Sequence, residues 1–328
     1  MSIKHNESFK VSVIICCYTF ERLNDIVEAI ESVLTQTLTP LELIVAVDNN
    51  EELYQQLITL KFPNTRVILN TKARGFSQTK NLGILKSKGH IVAFLDDDAV
   101  AEKTWLEKLT KSFSPAKQID YEFSSQKHVV ATGGMTIPRW SQGAPPFWFP
   151  EELNWAVGGT YKGLPLHENQ MRNVMGGNCA IRKDVFNKTG LFGTQFGRVG
   201  DTGVAEEAEF CLRLKTHFPH SIILFEADAV VYHKVSISRS SLNYLKKRAF
   251  DEGKSKGRLI SFNQVKSPQL LTTENSYLQY LLFYAIPGRL KCFYRRDSLP
   301  KILAIIIAIT ATVIGYISGR IERSKIPK

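Results

Sequence analysis

The chain has 328 residues, of which 44% are apolar and 22% charged, and a formal net charge of +11. Those figures exclude a disordered or low-complexity chain and allow one large α/β domain with an appendage, or two small domains. The basic excess is confined to the last third: residues 233–328 carry 18 basic and 5 acidic side chains, against 24 and 26 in residues 1–232.

The opening MSIKHNESFK is polar and has no apolar core, so a secretory leader is not expected. Residues 10–17 (KVSVIICC) read as a buried strand, being short, β-branched and continuously apolar. Residues 24–34 show helical spacing at Ile26, Val27, Ile30, Val33 and Leu34, with Asn24 as the expected cap. A second strand over 41–47 runs into Asp48, a helix follows over 51–60, and 65–69 is a third strand. Residues 77–87 read as a helix closed by Gly89. A fourth strand, 91–95, runs into Asp96, Asp97 and Asp98, and a helix is expected over 101–113. Strands alternating with helices over short connections predict a mostly parallel, doubly wound sheet. In such sheets ligands bind beyond the carboxyl ends of the strands, where Asp48 and Asp96–Asp98 fall.

Past residue 120 the pattern loosens. Residues 129–136 read as a strand and 140–155, rich in Pro and aromatics, as an irregular loop. Residues 222–231 form a strand interrupted by Glu226 and Asp228. A helix over 240–253 carries Lys246, Lys247 and Arg248. The run 302–319 (ILAIIIAITATVIGYISG) is uncharged and reaches the lower length limit of a bilayer span. Upstream, 277–286 (YLQYLLFYAI) suits the membrane interface. Basic residues beside such segments attract anionic headgroups, by about 1 kcal/mol per Lys or Arg. Both flanks are basic, so charge does not fix the topology. No nucleic-acid-binding module is present, and nucleic acid is not an expected partner.

Three carboxylates after a buried strand repel unless something compensates, and a hard divalent cation such as Mg2+ does so with oxygen ligands. Glu206, Glu207 and Glu209 open an expected helix. Their charge suits its dipole, and one of them in reach of an acceptor hydroxyl would serve as a general base. His233 ends a strand, as a structural residue or as a contact to metal or phosphate. Residues 248–256 (RAFDEGKSK) offer a lipid-facing basic surface or a hold on a leaving diphosphate. Cys16, Cys17, Cys179, Cys211 and Cys292 are odd in number and include no CxxC pair. This argues against a disulfide framework or a zinc site and suits a reducing compartment. No GxGxxG follows the first strand and no GxxxxGK occurs.

The order of VSVIICCYTFER, SVLTQT, the Asp48 strand end, KNLGI, FLDDDAV, GGNCAIRKDVF and EEAEFCLRL resembles the inverting family-2 glycosyltransferases of GT-A fold. The resemblance covers about residues 10–235. It implies a nucleotide site lined by Tyr18, Thr19, Glu21, Asp48 and Lys80. Asp96 and Asp97 fall on the nucleotide-sugar side, and Asp98 and His233 on a Mg2+ or Mn2+ ion. The family's Glu-Asp base motif stands here as Glu206–Glu207, which makes Glu207 the base and Glu206 the second candidate. Where many relatives have Arg-Asn, this chain has Lys80–Asn81. PFWFPEELNWAVGGTYKGLP, MRNVMGGNCAIRKDVF and RAFDEGKSKG are similar to archaeal-type glucosyl-dolichyl phosphate glucuronosyltransferases.

The resulting expectation is a nucleotide-sugar transferase domain over 1–235, a basic membrane-associating region over 236–298, and a single transmembrane helix with a basic tail over 299–328. The donor would be a UDP-sugar, UDP-glucuronate first. The acceptor would be a polyprenyl- or dolichyl-phosphate-linked glycan, met at the cell membrane on its cytoplasmic side. Arg172 and Arg182 flank Gly176–Gly177 and are candidates to meet a uronate carboxylate. Competing readings are transfer of another sugar in cell-surface polysaccharide synthesis, a nucleotidyltransferase, and a non-catalytic scaffold binding sugar or lipid carriers.

Overall fold

The computed structural model describes residues 10–72, 74–113, 128–195, 206–262 and 271–323. The polar segment before Lys10 and the tail beyond Arg323 lie outside the described residues. The chain divides into two compact units: residues 1–135, 167–200 and 206–232, and residues 136–166, 201–205 and 233–328.

In the first unit, β1 (Val11–Cys17) is buried at every position, as an apolar run covered on both sheet faces must be. It pairs in parallel with β2 (Glu42–Asp48) and β4 (Ile91–Asp96), and β2 pairs in parallel with β3 (Thr65–Asn70). Helices α1 (Leu23–Leu34), α2 (Glu51–Thr59) and α3 (Phe76–Lys86) make the crossovers. Ile26, Ala29, Ile30 and Val33 of α1 are buried, the stripe that its spacing predicts. Asn24 is not its cap. A 3-10 turn over Phe20–Arg22 runs straight into α1, and the Leu23 N–H donates to the Phe20 carbonyl, so no side-chain cap is needed. At α2 the cap is Asn50, whose side chain accepts from the Leu53 N–H at 3.0 Å.

Past β4 the alternation changes. The chain turns at Asp97–Asp98 into the short β5 (Ala99–Ala101). Helix α4 (Trp105–Thr110) has six residues, in place of the longer helix expected over 101–113. β6 (His128–Trp140), β7 (Asn178–Arg182) and β8 (Ser221–Val235) complete an eight-stranded order β3-β2-β1-β4-β7-β6-β8-β5. β7 runs antiparallel to both β4 and β6. Two further helices, α5 (Phe186–Thr189) and α6 (Glu206–His217), follow β7. The architecture is the expected α/β sheet flanked by helices. Its parallel part is β1–β4. Cys16, Cys17, Cys179 and Cys211 are free thiols buried in this unit, as small apolar core residues. Trp105 is fully buried; its indole N–H donates to Asn178 Oδ1 at 2.8 Å, and the Asn178 amide donates to the Met135 carbonyl at 3.0 Å. One buried amide thus ties β7 to α4 and β6.

In the second unit a 3-10 helix, Glu151–Val157, occupies part of the stretch expected to be irregular. Then come α7 (Leu242–Phe262), α8 (Thr272–Tyr280), a π-helical turn (Leu281–Ala285), α9 (Ile286–Lys291) and the 26-residue α10 (Ser298–Arg323). Trp140, Phe149, Leu153, Leu245, Leu281, Ile305 and Ala308 share a core. Buried Glu152 is met by Arg289 at 2.6 Å. Among the described residues, α10 is the one helix long and apolar enough to cross a membrane, over Ser298–Glu322.

Candidate active site

Parallel pairing brings three strand ends of the first unit side by side. Cys16 is in register with Asp96, and Cys17 with Val47, one residue before Asp48. Asp48 is buried and oriented by two donors: the Gly75 N–H at 3.0 Å and the Asn70 amide at 3.0 Å. Tyr18 and Glu21 are exposed and Thr19 is half-buried, in the turn that leaves β1. Tyr18 accepts at its carbonyl from the Asn50 amide at 3.1 Å, and its ring lies 5.5 Å from the Arg22 guanidinium.

Arg22 is a site residue that the sequence reading missed. Its Nη1 sits 2.8 Å from Asp97 Oδ1 and 3.1 Å from Asp98 Oδ2. The signal was available: a basic residue stands four positions past Tyr18, in the same turn. One guanidinium thus compensates part of the charge of Asp96, Asp97 and Asp98. Burial, with Asp98 and Asp96 close by, pushes Asp97 up to about 7 while Arg22 pulls it down. Asp97 Oδ2 is buried with no hydrogen-bond partner. Carboxylate oxygens of Asp96 and Asp98 lie within 4.8 Å of each other, a separation that one cation can bridge. Two oxygen donors, an excess of negative charge and an unsatisfied buried oxygen fit a hard divalent ion. His233, buried on β8, belongs to the second unit.

A second cluster lies at the start of α6. Lys80 of α3 is 1% exposed, and its Nζ is 3.0 Å from Glu206 Oε1 and 2.8 Å from Glu207 Oε1. The ammonium also lies 4.5, 5.2 and 5.5 Å from the rings of Phe76, Phe192 and Phe94. A cation caged by aromatic faces and two carboxylates stays ionised; Lys80 is held well above its ordinary value, the carboxylates outweighing its burial. Glu206 is buried and accepts from the Ser77 hydroxyl; burial pushes it up to about 7 against the pull of Lys80. Glu207 is one-fifth exposed. Burial raises it, but the charge and hydrogen bond of Lys80 prevail and hold it below its ordinary value. The two adjacent glutamates therefore differ: Glu206 is enclosed and holds its proton more tightly, whereas Glu207 is partly open and holds it less tightly.

Gly176 and Gly177 stand between these clusters. A Cβ on Gly176 would overlap Glu207 Oε1, and one on Gly177 would overlap Asp96 Oδ2. Main chain fits against both carboxylates only because neither residue has a side chain. Arg172 is half-buried nearby in sequence, with Nε 3.1 Å from Asn173 Oδ1. Arg182 corrects an expectation. It is in register with Ile91, at the opposite end of β4 from Asp96, and pairs with Asp184 at 2.9 Å. At about 3.3 Å per residue it is far from the strand tips, and it cannot meet a donor there.

The chain is similar to known proteins over most of its length. The chain is 34% identical over 325 residues to the glucosyl-dolichyl phosphate glucuronosyltransferase of Haloferax volcanii, covering 97% of this chain and 99% of that protein. The mannosyltransferase PcManGT from Pyrobaculum calidifontis, solved with GDP-Man and Mn2+, superposes with a TM-score of 0.54 at 14% identity, over 95% of this chain and 88% of that one. GalNAc-T7, solved with UDP, GalNAc and Mn2+, gives a TM-score of 0.50 at 16% identity; the match covers 85% of this chain and 57% of that longer one. At such identities the two structures show the fold alone, the GT-A fold. Residues 12–190 match the glycosyl transferase family 2 domain, and the chain, a glycosyltransferase, belongs to that family.

Proposed function

We propose that this chain transfers glucuronate from UDP-glucuronate, with inversion and with a bound divalent ion, to a glycosyl-phospho-dolichol or polyprenol. The observation that carries the reaction class is Glu207: an accessible carboxylate kept ionised by Lys80, and separated from the Asp96 strand end by two consecutive glycines. The likeness to the Haloferax volcanii glucuronosyltransferase supports the donor and acceptor.

Glu207 takes the proton of the acceptor hydroxyl as that oxygen attacks the anomeric carbon in line. The bond from this carbon to the diphosphate oxygen breaks, and the nucleoside diphosphate leaves with the electron pair. Asp96 and Asp98, with His233 as third ligand, would hold Mg2+ or Mn2+, which supplies charge neutralisation of the leaving diphosphate. Tyr18, Thr19, Glu21 and Asp48 line the nucleotide side. Lys80 and Asp97 act through neighbours: Lys80 fixes the charge of Glu207, and Asp97 anchors Arg22 beside Asp98.

In this reading residues 1–235 are the transferase domain and 236–298 a basic membrane-associating region. Residues 299–328 hold the apolar helix that keeps the enzyme at the cytoplasmic face, where lipid-linked acceptors are confined with it. The test is a donor-by-acceptor screen on purified membranes, with mass spectrometry of the lipid product. Release of UDP together with a lipid gaining one uronate is expected. Release of pyrophosphate would overturn sugar transfer.

A further inference from the structure

The exposed side of α10 is an apolar stripe interrupted by one hydroxyl, that of the exposed Thr310. Leu299, Leu303, Ile306, Val313, Ile314, Ile317 and Ile321 are all exposed. At 100° per residue they fall within a band about 100° wide. The stripe follows the helix for about 33 Å at 1.5 Å per residue. The opposite side is covered: Ala304, Ile305, Ala308 and Ala311 are buried in the second unit's core.

What covers that side decides how the stripe can be used. Gly253 and Gly257 of α7 abut the backbone of α10 at Thr312 and Tyr316. Gly315 and Gly319 of α10 abut the backbone of α7 at Phe250 and Lys254. A Cβ at any of the four would overlap a carbonyl oxygen of the other helix. The pairs advance together along both chains, so the two helices lie parallel and in backbone contact over more than one turn. Yet α7 carries Lys246, Lys247, Arg248, Asp251, Glu252, Lys254, Lys256 and Arg258. A helix so charged does not enter a hydrocarbon core, where each charge is costly. If α10 crossed the bilayer, it would either carry α7 with it or be stripped from it, exposing both glycine faces.

We propose that α10 lies in the plane of an anionic membrane surface, its exposed stripe in the acyl boundary and its glycine face on α7, and does not span. This rests on the membrane attachment proposed above and replaces the transmembrane expectation with an in-plane one. The approach to α10 has the composition of an interfacial segment. Phe283, Tyr284, Phe293 and Tyr294 are each 70–75% exposed, and the exposed Lys291, Arg295 and Arg296 stand beside the last two. Aromatic rings with basic neighbours suit the headgroup layer of a bilayer containing acidic phospholipid.

The test uses the full chain with Cys292→Ser as background and single spin labels at Leu303→Cys, Ile314→Cys and Ile321→Cys, all on the exposed stripe. Binding is read by flotation with vesicles of 30% phosphatidylserine in phosphatidylcholine, and depth by collisional relaxation of each label. Equal, shallow immersion of all three labels is expected. Arg295→Gln with Arg296→Gln should lower partitioning roughly tenfold to thirtyfold, from about 1 kcal/mol per lost charge. A graded depth, with Ile314→Cys deepest and the two ends at opposite faces, overturns the in-plane arrangement while leaving membrane attachment intact. A chain that does not float with vesicles sinks the attachment itself. If it also shows spin coupling between copies at Ile314→Cys, the stripe is a dimer interface.

Discussion

Lys80 Nζ lies 2.8 Å from Glu207 Oε1 and, through the same buried ammonium, 3.0 Å from Glu206 Oε1. One cation thus serves two carboxylates adjacent in sequence, and their environments separate them. Glu206 is enclosed, with the Ser77 hydroxyl donating to it, whereas Glu207 keeps one-fifth of its side chain exposed. In the proposed reaction Glu207, the more open of the two, is the base. Glu207→Gln should therefore retain donor affinity and lose about 10²-fold or more in kcat. Glu206→Gln should lose much less. Steady-state kinetics with donor binding by calorimetry measures both, and a reversed order would move the base to Glu206.

The two glutamates also predict opposite pH behaviour. Glu207 is held below its ordinary value, so activity should persist through the usual carboxylate range and fail only as the pH drops through that lowered value. Lys80→Met removes the cause and should move the acid limb of the kcat profile upward. Glu206, raised by burial to about 7 from 4.5, binds its proton more tightly in the folded chain. Its contribution to stability is full below about pH 4.5 and is lost as the pH rises towards 7. Glu206→Gln should remove this loss and gain stability relative to the wild type between about pH 5 and pH 8. Parallel urea midpoints for the two proteins across that range would refute the assignment.

Gly176 and Gly177 allow two separable lesions. Gly176→Ala places a methyl on Glu207 Oε1, and Gly177→Ala places one on Asp96 Oδ2. The first should depress kcat with donor affinity near normal. The second should weaken binding of the nucleotide together with the ion, read as loss of the thermal shift given by UDP and Mn2+. Identical profiles for the two variants would contradict the division of labour between the carboxylates.

For the ion, the expectation is that chelator abolishes transfer and that Mg2+ or Mn2+ restores it. Asp98→Ala should remove the UDP-and-Mn2+ thermal shift as well as turnover. Arg22→Ala leaves Asp97 and Asp98 without their guanidinium, and the added negative charge should lower the ion concentration needed for half-activity. Full activity in chelator would remove the metal from the mechanism.

The strand tips were legible in the sequence because their signal is local. A continuous apolar run such as Val11–Cys17 or Ile91–Leu95 must be buried, and an acid that ends it must sit at the sheet edge. Lys80 was not legible in the same way. Its partners lie 126 and 127 residues away, and no periodicity in α3 announces them. Arg22 escaped because three adjacent acids direct attention to a cation from solution before one from the chain. Asn24 misled because a preceding 3-10 turn can supply the acceptor that a capping side chain usually provides. The GKSKG and GYISG segments, Gly253–Gly257 and Gly315–Gly319, carry their meaning only as a pair, once α7 and α10 lie side by side.

Donor choice is where the two flanking arginines part. Arg182 lies at the far end of β4, opposite Ile91, and its guanidinium is taken by Asp184 at 2.9 Å. Arg182→Ala should therefore cost stability, since it leaves a buried site without its charge, and should leave the ratio of UDP-glucuronate to UDP-glucose turnover unchanged. Arg172 is half-buried and lies four residues before Gly176, on the segment that leads to Glu207 and Asp96. A guanidinium there can grip a uronate carboxylate with two parallel hydrogen bonds, an interaction that a neutral hexose cannot return. Arg172→Ala should then lower kcat/KM for UDP-glucuronate by about 10-fold or more, the scale of one charge-assisted hydrogen bond, while changing UDP-glucose turnover little. Lys at this position should recover only part of the loss, because an ammonium does not reproduce the planar fork. Competition between the two donors, with mass spectrometry of the lipid product, reads the ratio directly. A wild type that prefers UDP-glucose, or an Arg172→Ala variant that loses both donors equally, would remove the uronate from the assignment and leave the family-2 transferase with another sugar.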